Sequence, residues 1–236
     1  MIGKVASIET MGLVDGPGIR TVIFLQGCPL RCLYCHNPEM QEINGKIKEY
    51  TPEEIISFLK RYKSYYKENG GVTFSGGEPL TQSSFLLECL KLCKENNIHT
   101  CLDTSGIGFN YEEIISLVDL VILDVKATTQ EEYKKITGGD FNLFLKFLNT
   151  CQKLNKKLWI RQVIIPGLND DEKHILDLKI FLKEIKNIER VELLPYHTMA
   201  KNKYKKLNII YPLQDTPAMD KIKCKELEKL LLKNQD

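Results

Sequence analysis

The run Leu120-Val121-Ile122-Leu123-Asp124-Val125-Lys126 decides the fold class. A strand with one wet face alternates apolar and polar residues, so an unbroken apolar stretch describes a strand covered on both faces. That is the strand of a parallel sheet with helices packed on it. The polar residues of the run, Asp124 and Lys126, come at its carboxyl end, where chemistry gathers in parallel α/β folds. Five further runs read as strands of the same kind: Thr21 to Leu25, Val72 to Ser75, His99 to Asp103, Leu158 to Ile165 and Arg190 to Leu194. Helical periodicity lies between and after them, over Thr51 to Lys67, Ser83 to Asn96, Tyr111 to Leu117, Gln130 to Ile136, Phe141 to Leu154, Asp171 to Lys186 and Ala218 to Leu232. The first of these opens on Thr51-Pro52-Glu53-Glu54, which places a cap, a first-turn proline and early acids where a helix start needs them.

Six strands alternating with helices imply a parallel sheet with right-handed crossovers. Two architectures satisfy that order: an open doubly wound sheet, or a barrel that stops short of the eight units needed to close. In either, the segments after the strands share one rim. Those segments are Gly27-Cys28, Ser75-Gly76-Gly77-Glu78-Pro79, Asp103-Thr104-Ser105-Gly106, Asp124-Val125-Lys126 and Pro195-Tyr196-His197. No linker, repeat or low-complexity stretch divides the chain. One domain over 1–236 is therefore expected, with a core of about 15–200 and a C-terminal helical segment of about 217–233.

Composition narrows the function. The chain has 236 residues, 33 Lys plus Arg against 31 Asp plus Glu, and 43% hydrophobic content, which excludes a disordered or fibrous protein. A net charge of +2 lacks the cationic excess that obligatory nucleic-acid binding requires. No segment reaches the roughly 18 uninterrupted apolar residues of a membrane span, and the start lacks the order of a signal peptide. A cytoplasmic, reducing setting is expected, in which thiols persist.

Of the eight Cys, three (Cys28, Cys32, Cys35) fall within eight consecutive residues, while Cys89, Cys93, Cys101, Cys151 and Cys224 are scattered as core thiols are. Cys28-Pro-Leu-Arg-Cys32-Leu-Tyr-Cys35-His36 admits three metal readings. A Cys3His zinc site needs four ligands on one ion, and His36 directly beside Cys35 reaches poorly. Haem attachment fits the letters Cys32-Leu-Tyr-Cys35-His36 but belongs to exported proteins. An iron-sulfur cubane bound by three thiolates leaves one iron open to bind another molecule. Three purely structural thiols are the fourth reading.

The spacing of the three Cys, with Tyr34 before the last, resembles the motif of the radical S-adenosylmethionine superfamily, and Gly76-Gly77-Glu78-Pro79 resembles its second motif. Asp15-Gly-Pro-Gly-Ile-Arg20, Cys32-Leu-Tyr-Cys35-His36-Asn37, His99 to Thr104, Leu123-Asp-Val-Lys126, Trp159-Ile-Arg161 and Leu194-Pro-Tyr-His197 are similar to the pyruvate formate-lyase activating enzymes within it. The resemblance runs from about residue 5 to 200. It implies a partial (β/α)6 TIM-like barrel, a 4Fe-4S cluster on Cys28, Cys32 and Cys35, and S-adenosylmethionine cleaved reductively to methionine and a 5′-deoxyadenosyl radical. That radical removes a hydrogen atom from a glycine of pyruvate formate-lyase, under anaerobic conditions, with flavodoxin or a ferredoxin-type protein as reductant. Nothing requires self-association, so a monomer is expected.

Carried over by position, Tyr34, Cys35 and His36 would line the adenine side and Gly77 would bind the methionine amino group, with Glu78 beside it. His197 would approach the ribose or carboxylate, and Lys126 would pair with that carboxylate. Thr128, Thr129 and Gln130 fall where the family contacts the cofactor again, although their residue types depart from the family's. Asp103, Thr104 and Asp124 form an all-oxygen set suited to a hard cation, and the resemblance implies a monovalent one beside the cofactor carboxylate. Of only five Arg, three (Arg20, Arg31, Arg161) lie in these segments, and a site role is expected for them, with Arg161 steadying the cofactor or the glycine loop. Lys201, Lys203, Lys205 and Lys206 read as a solvated loop or, alternatively, as a patch for partner or flavodoxin docking. Two other functions stay open: activation of a different glycyl-radical enzyme, and a non-catalytic zinc adaptor. The absence of Cys between Asn37 and Thr51 favours the short activase type, without an inserted ferredoxin-like region.

Overall fold

The computed structural model describes residues 1–43 and 47–233; residues 44–46 and 234–236 of the expected span lie outside the described residues. One sheet holds β1 (Gly3–Gly12), β2 (Arg20–Leu25), β3 (Lys48–Tyr50), β4 (Gly71–Gly76), β5 (His99–Thr104), β6 (Leu120–Asp124), β7 (Leu158–Ile164) and β8 (Ile188–Pro195). Their spatial order is β3-β1-β2-β4-β5-β6-β7-β8. From β2 to β8 every neighbouring pair is parallel, which is the expected six-unit α/β core. Strand β6 is buried from Leu120 to Leu123, with Val121, Ile122 and Leu123 fully covered. The sheet is open, with β3 and β8 at opposite ends.

Two strands were not expected. β1 pairs antiparallel with β2, with two register irregularities, and β3 pairs antiparallel with β1. Ala6, Ser7 and Glu9 interrupt the apolar pattern of β1, whose second half is partly exposed, and β3 is three residues with two charges. A short charged strand at a sheet edge is how proteins blunt unwanted pairing.

The helices begin where side chains can satisfy their first amides. In α1 (Pro52–Tyr66), Thr51 Oγ1 accepts from Glu54 N at 3.3 Å and Glu54 Oε2 accepts from Thr51 N at 2.8 Å, a reciprocal capping box. Helices α2 (Ser83–Glu95) and α3 (Tyr111–Leu117) follow β4 and β5. Thr129, Asp140, Asp171 and Asp220 cap α4 (Gln130–Thr137), α5 (Phe141–Lys153), α6 (Glu172–Lys183) and α8 (Lys221–Leu232). The lysine segment after β8 is not a loop: Lys201–Lys206 forms a helical turn and a half, α7, anchored by buried Tyr204. At the open end of the sheet, α8 covers β8, where Glu228 Oε2 accepts from Leu193 N at 2.8 Å.

Candidate active site

The carboxyl ends of β2, β4, β5 and β6 surround a cleft of about 290 Å³. Cys28, Cys32, Tyr34, Cys35 and His36 line one side, and Ser75, Gly77, Asp103, Thr104, Asp124 and Lys126 the other. The cysteine loop is held by backbone bonds from distant segments. Arg31 N donates to Thr137 O at 2.8 Å and Leu33 N to Ile136 O at 2.9 Å, pinning the loop to the end of α4. Gly27 N and Cys28 N donate to Met40 O and Gln41 O, and Glu78 N reaches back to Gly27 O at 2.7 Å. Gly77 has no room for a side chain, since a Cβ there would lie 2.3 Å from Gly27 O.

All eight thiols are free, but only Cys28, Cys32 and Cys35 are partly exposed; the other five are buried. Burial, with Glu78 behind it, pushes the Cys28 thiol up to about 12, and burial pushes Cys32 to about 11. Desolvated thiols of this kind become thiolates when a cationic centre binds them. Among the described residues no three Cys, His, Asp or Glu gather as one ion would require. Three free thiols in one cleft, spread more widely than a single ion's ligands, fit a multinuclear iron-sulfur cluster better than a zinc tetrahedron. His36 is engaged elsewhere: its Nε2 donates to His197 O at 3.0 Å, and its ring stacks on His197 at 3.8 Å between centroids.

Lys126 is 8% exposed and holds its charge. Burial opposes that charge, but Asp124, with Tyr34 and Cys32 behind it, outweighs the penalty and keeps the pKa well above the ordinary lysine value. Its Nζ lies 2.6 Å from Asp124 Oδ2 and 3.4 Å from the Tyr34 hydroxyl. The other carboxylate oxygen, Asp124 Oδ1, is buried with no partner. An orphaned oxygen on the cleft wall suits an additional cation or donor. Asp103 accepts from Ser75 Oγ at 2.8 Å, and burial raises its pKa against the pull of Arg161. Thr104 spends its hydroxyl differently from the expected cation set, donating to Glu78 Oε1 at 2.6 Å and accepting from Gly106 N at 2.9 Å.

Several expected residues sit where sequence reasoning did not place them. Glu78 is fully buried, and its carboxylate takes four donors: Leu80 N, Thr104 Oγ1, Ser105 N and Ser105 Oγ. Burial raises its pKa while these donors, Ser105 foremost, pull it back. Glu78 thus ties the glycine loop after β4 to the loop after β5. Thr129 caps α4, and Gln130 Oε1 accepts from Phe141 N at 3.0 Å, so both side chains serve local structure; neither they nor Thr128 line the cleft. Arg20 has no cleft role. It is fully buried and donates to Thr73 Oγ1, Pro17 O and Val72 O at 2.6–2.9 Å, folding Asp15–Gly18 onto the sheet. Arg161 joins the same loop, bonding Val14 O at 2.5 Å and Glu192 Oε2 at 2.9 Å. Arg31 bonds Cys28 O and Leu30 O within its own loop. Ser75 and Ser105 stand in the rim motifs without an expected role, yet their hydroxyls donate to Asp103 Oδ2 and Glu78 Oε2; partners from other strand ends leave no local sequence signal. A larger groove of about 830 Å³ along β8 contains none of the rim residues.

The Radical SAM superfamily pattern matches residues 22–178. The chain is 54% identical over 233 residues to the pyruvate formate-lyase-activating enzyme of Clostridium pasteurianum, covering 98% of each. A crystal structure of a domain of the pyruvate-formate lyase-activating enzyme from Bacteroides vulgatus superposes with a TM-score of 0.56 at 27% identity, covering 69% of this chain and 92% of that one. A radical SAM methyltransferase from Sphaerobacter thermophilus shares the fold, with a TM-score of 0.66 at 14% identity over 94% of this chain and 65% of that chain. A three-thiol cleft at the carboxyl ends of an open α/β sheet, together with near full-length similarity, places this chain in the radical SAM superfamily and, within it, among the pyruvate formate-lyase-activating enzymes.

Proposed function

We propose that this protein activates pyruvate formate-lyase by placing a radical on a glycine of that enzyme. The observation that carries the reading is the convergence of Cys28, Cys32 and Cys35 with Gly77, Asp124 and Lys126 on one cleft. When bound, a 4Fe-4S cluster supplies the electron that cleaves S-adenosylmethionine to methionine and a 5′-deoxyadenosyl radical, which takes the glycine hydrogen atom.

The chain's own residues hold and orient. Cys28, Cys32 and Cys35 would hold the cluster through their thiolates. Tyr34 and the stacked His36 and His197 offer flat faces to an adenine ring. Gly77, bare of side chain, lets the backbone approach the amino group. Lys126 is a fixed cation for the methionine carboxylate, and Asp124 with Asp103 supplies oxygens for a monovalent cation beside it. Asp103 and Asp124 organise charge here, because hydrogen-atom transfer needs no proton shuttle. Arg161 positions the Val14–Asp15 segment over the rim. The unit is a single domain and acts as a monomer, in the cytoplasm, with a flavodoxin or ferredoxin-type reductant. Among the described residues no helix is long and apolar enough to cross a membrane.

The test is anaerobic reconstitution with iron and sulfide, then incubation with S-adenosylmethionine, reductant and pyruvate formate-lyase. 5′-Deoxyadenosine and a glycyl doublet in the electron paramagnetic resonance spectrum are expected. Cofactor cleavage without a doublet on that lyase, but with one on another glycyl-radical enzyme, would reassign the partner; no cleavage would overturn the reading.

A further inference from the structure

The activase reading requires an electron from outside, and the cleft is needed for cofactor and glycine. A second groove, of about 610 Å³, is bordered by Ser7 of β1, Gln26, Met40, Gln41, Leu207 and Ile209 and shares none of these residues with the cleft. Its floor touches the cluster loop directly. Gly27 N donates to Met40 O at 2.8 Å and Cys28 N to Gln41 O at 3.0 Å, so one hydrogen-bonded backbone layer separates the groove from Cys28. Leu207 and Ile209, just past α7, stand on the groove wall, and α7 is latched to the same segment, with Lys203 Nζ 2.7 Å from Asn37 Oδ1 and 2.5 Å from Glu39 Oε1.

The surface around this groove has the anatomy of a docking site. Ile210 is 89% exposed, and Ile209 and Leu207 are 48% and 41% exposed. Lys201, Lys203, Lys205 and Lys206 precede Leu207 in the chain; Lys205 and Lys206 are exposed, while Lys201 Nζ donates to Gln214 O. Glu39 is paired with Lys203. An apolar centre with a cationic rim selects an acidic protein partner and speeds its encounter. Electron tunnelling decays steeply with distance, so the face one backbone layer from Cys28 is where a carrier should sit.

We propose that this face, α7 with Leu207 to Ile210 and the segment Asn37–Gln41, is the docking surface for a small acidic one-electron carrier protein that reduces the cluster. The proposal rests on the activase reading. One electron leaves the carrier, which is oxidised by one unit, and the cluster is reduced by one; no bond is made and no proton moves. The interface is small and transient, as suits electron transfer.

The experiment uses the reconstituted full chain and follows bleaching of cluster absorbance by stopped flow. Reduced flavodoxin, reduced ferredoxin and dithionite serve as separate donors. Variants are Lys205→Glu with Lys206→Glu, and Ile210→Asp, all at exposed positions. Lys225→Glu with Lys229→Glu on α8 makes the same change of net charge elsewhere. We expect the α7 double variant to slow reduction by at least one acidic carrier about tenfold at low salt and to lose the salt dependence of the unaltered protein. Dithionite reduction stays unchanged, and so do the α8 variants with every donor. Equal rates for both proteins with both carriers would overturn the proposal, as would equal slowing by the α8 variants. Equal slowing with dithionite would also overturn it, by showing damage to the cluster loop. Failure of dithionite to reduce any cluster in the unaltered protein would instead overturn the activase reading, and the docking proposal with it.

Discussion

At the scale of single residues, the site depends on two positions that touch no reacting atom. Glu78 accepts four hydrogen bonds as a buried carboxylate, so Glu78→Gln keeps the shape but turns an acceptor into a donor facing donors. A buried group left unpaired costs about 1–3 kcal/mol, and a urea titration of the variant should show a loss of that order. Gly77→Ala forces a Cβ to within 2.3 Å of Gly27 O, and the loop after β4 must shift against the cysteine loop. Equilibrium dialysis should show S-adenosylmethionine affinity falling by about tenfold, equivalent to ~1.4 kcal/mol, with iron content preserved. The three cysteines of the cleft were legible because their spacing is local. The role of Glu78 was not, since its partners Thr104 and Ser105 come from another strand end. Arg20 misled for the same reason: rarity marked it as functional, and only its burial against Thr73 and Val72 shows that it holds a loop. Asp124 and Lys126, two apart at a strand end, could have been paired from sequence, because such residues share a face.

Among the elements, α6 carries a pH liability. His174 is buried, and its Nε2 lies 2.9 Å from Gln162 Oε1 on β7. Burial lowers its pKa below the ordinary 6.5, so the unfolded chain takes up a proton that the folded one refuses. The unfolded state then binds more protons as the pH falls through 6.5, and stability falls with it. Thermal unfolding should therefore drop between pH 7.5 and pH 5.5, and His174→Asn should shrink that drop. Elements with long periodic patterns and capping residues, such as α1 and α5, were legible to within two residues at each end. β1 was not, because Ser7 and Glu9 break its pattern and only its pairing to β2 makes it a strand. Helix α7 was hidden by its lysines, whose solubility reads as loop until Tyr204 is seen buried beneath them.

For the whole molecule, the open sheet leaves β8 as an edge that α8 must cover. Glu228 caps Leu193 N, and removing residues from Lys221 onward would bare that edge for pairing with other chains. Size-exclusion chromatography with light scattering should show the truncated chain shifting to higher mass, while Glu228→Ala only loses about 1–2 kcal/mol of stability. Six parallel strands in order were legible because each repeats the same local pattern; β1 and β3, which extend the sheet beyond β2, carry little pattern of their own. The contact between His36 and His197 spans 161 residues, and that between Asn37 and Lys203 spans 166. Contacts of such separation form late in folding. During synthesis, the three thiols therefore leave the ribosome long before β8 and α7 exist to enclose them. A half-made chain would offer loose cysteines to any metal present, because the segments that flank His36 and Asn37 are made 161 and 166 residues later.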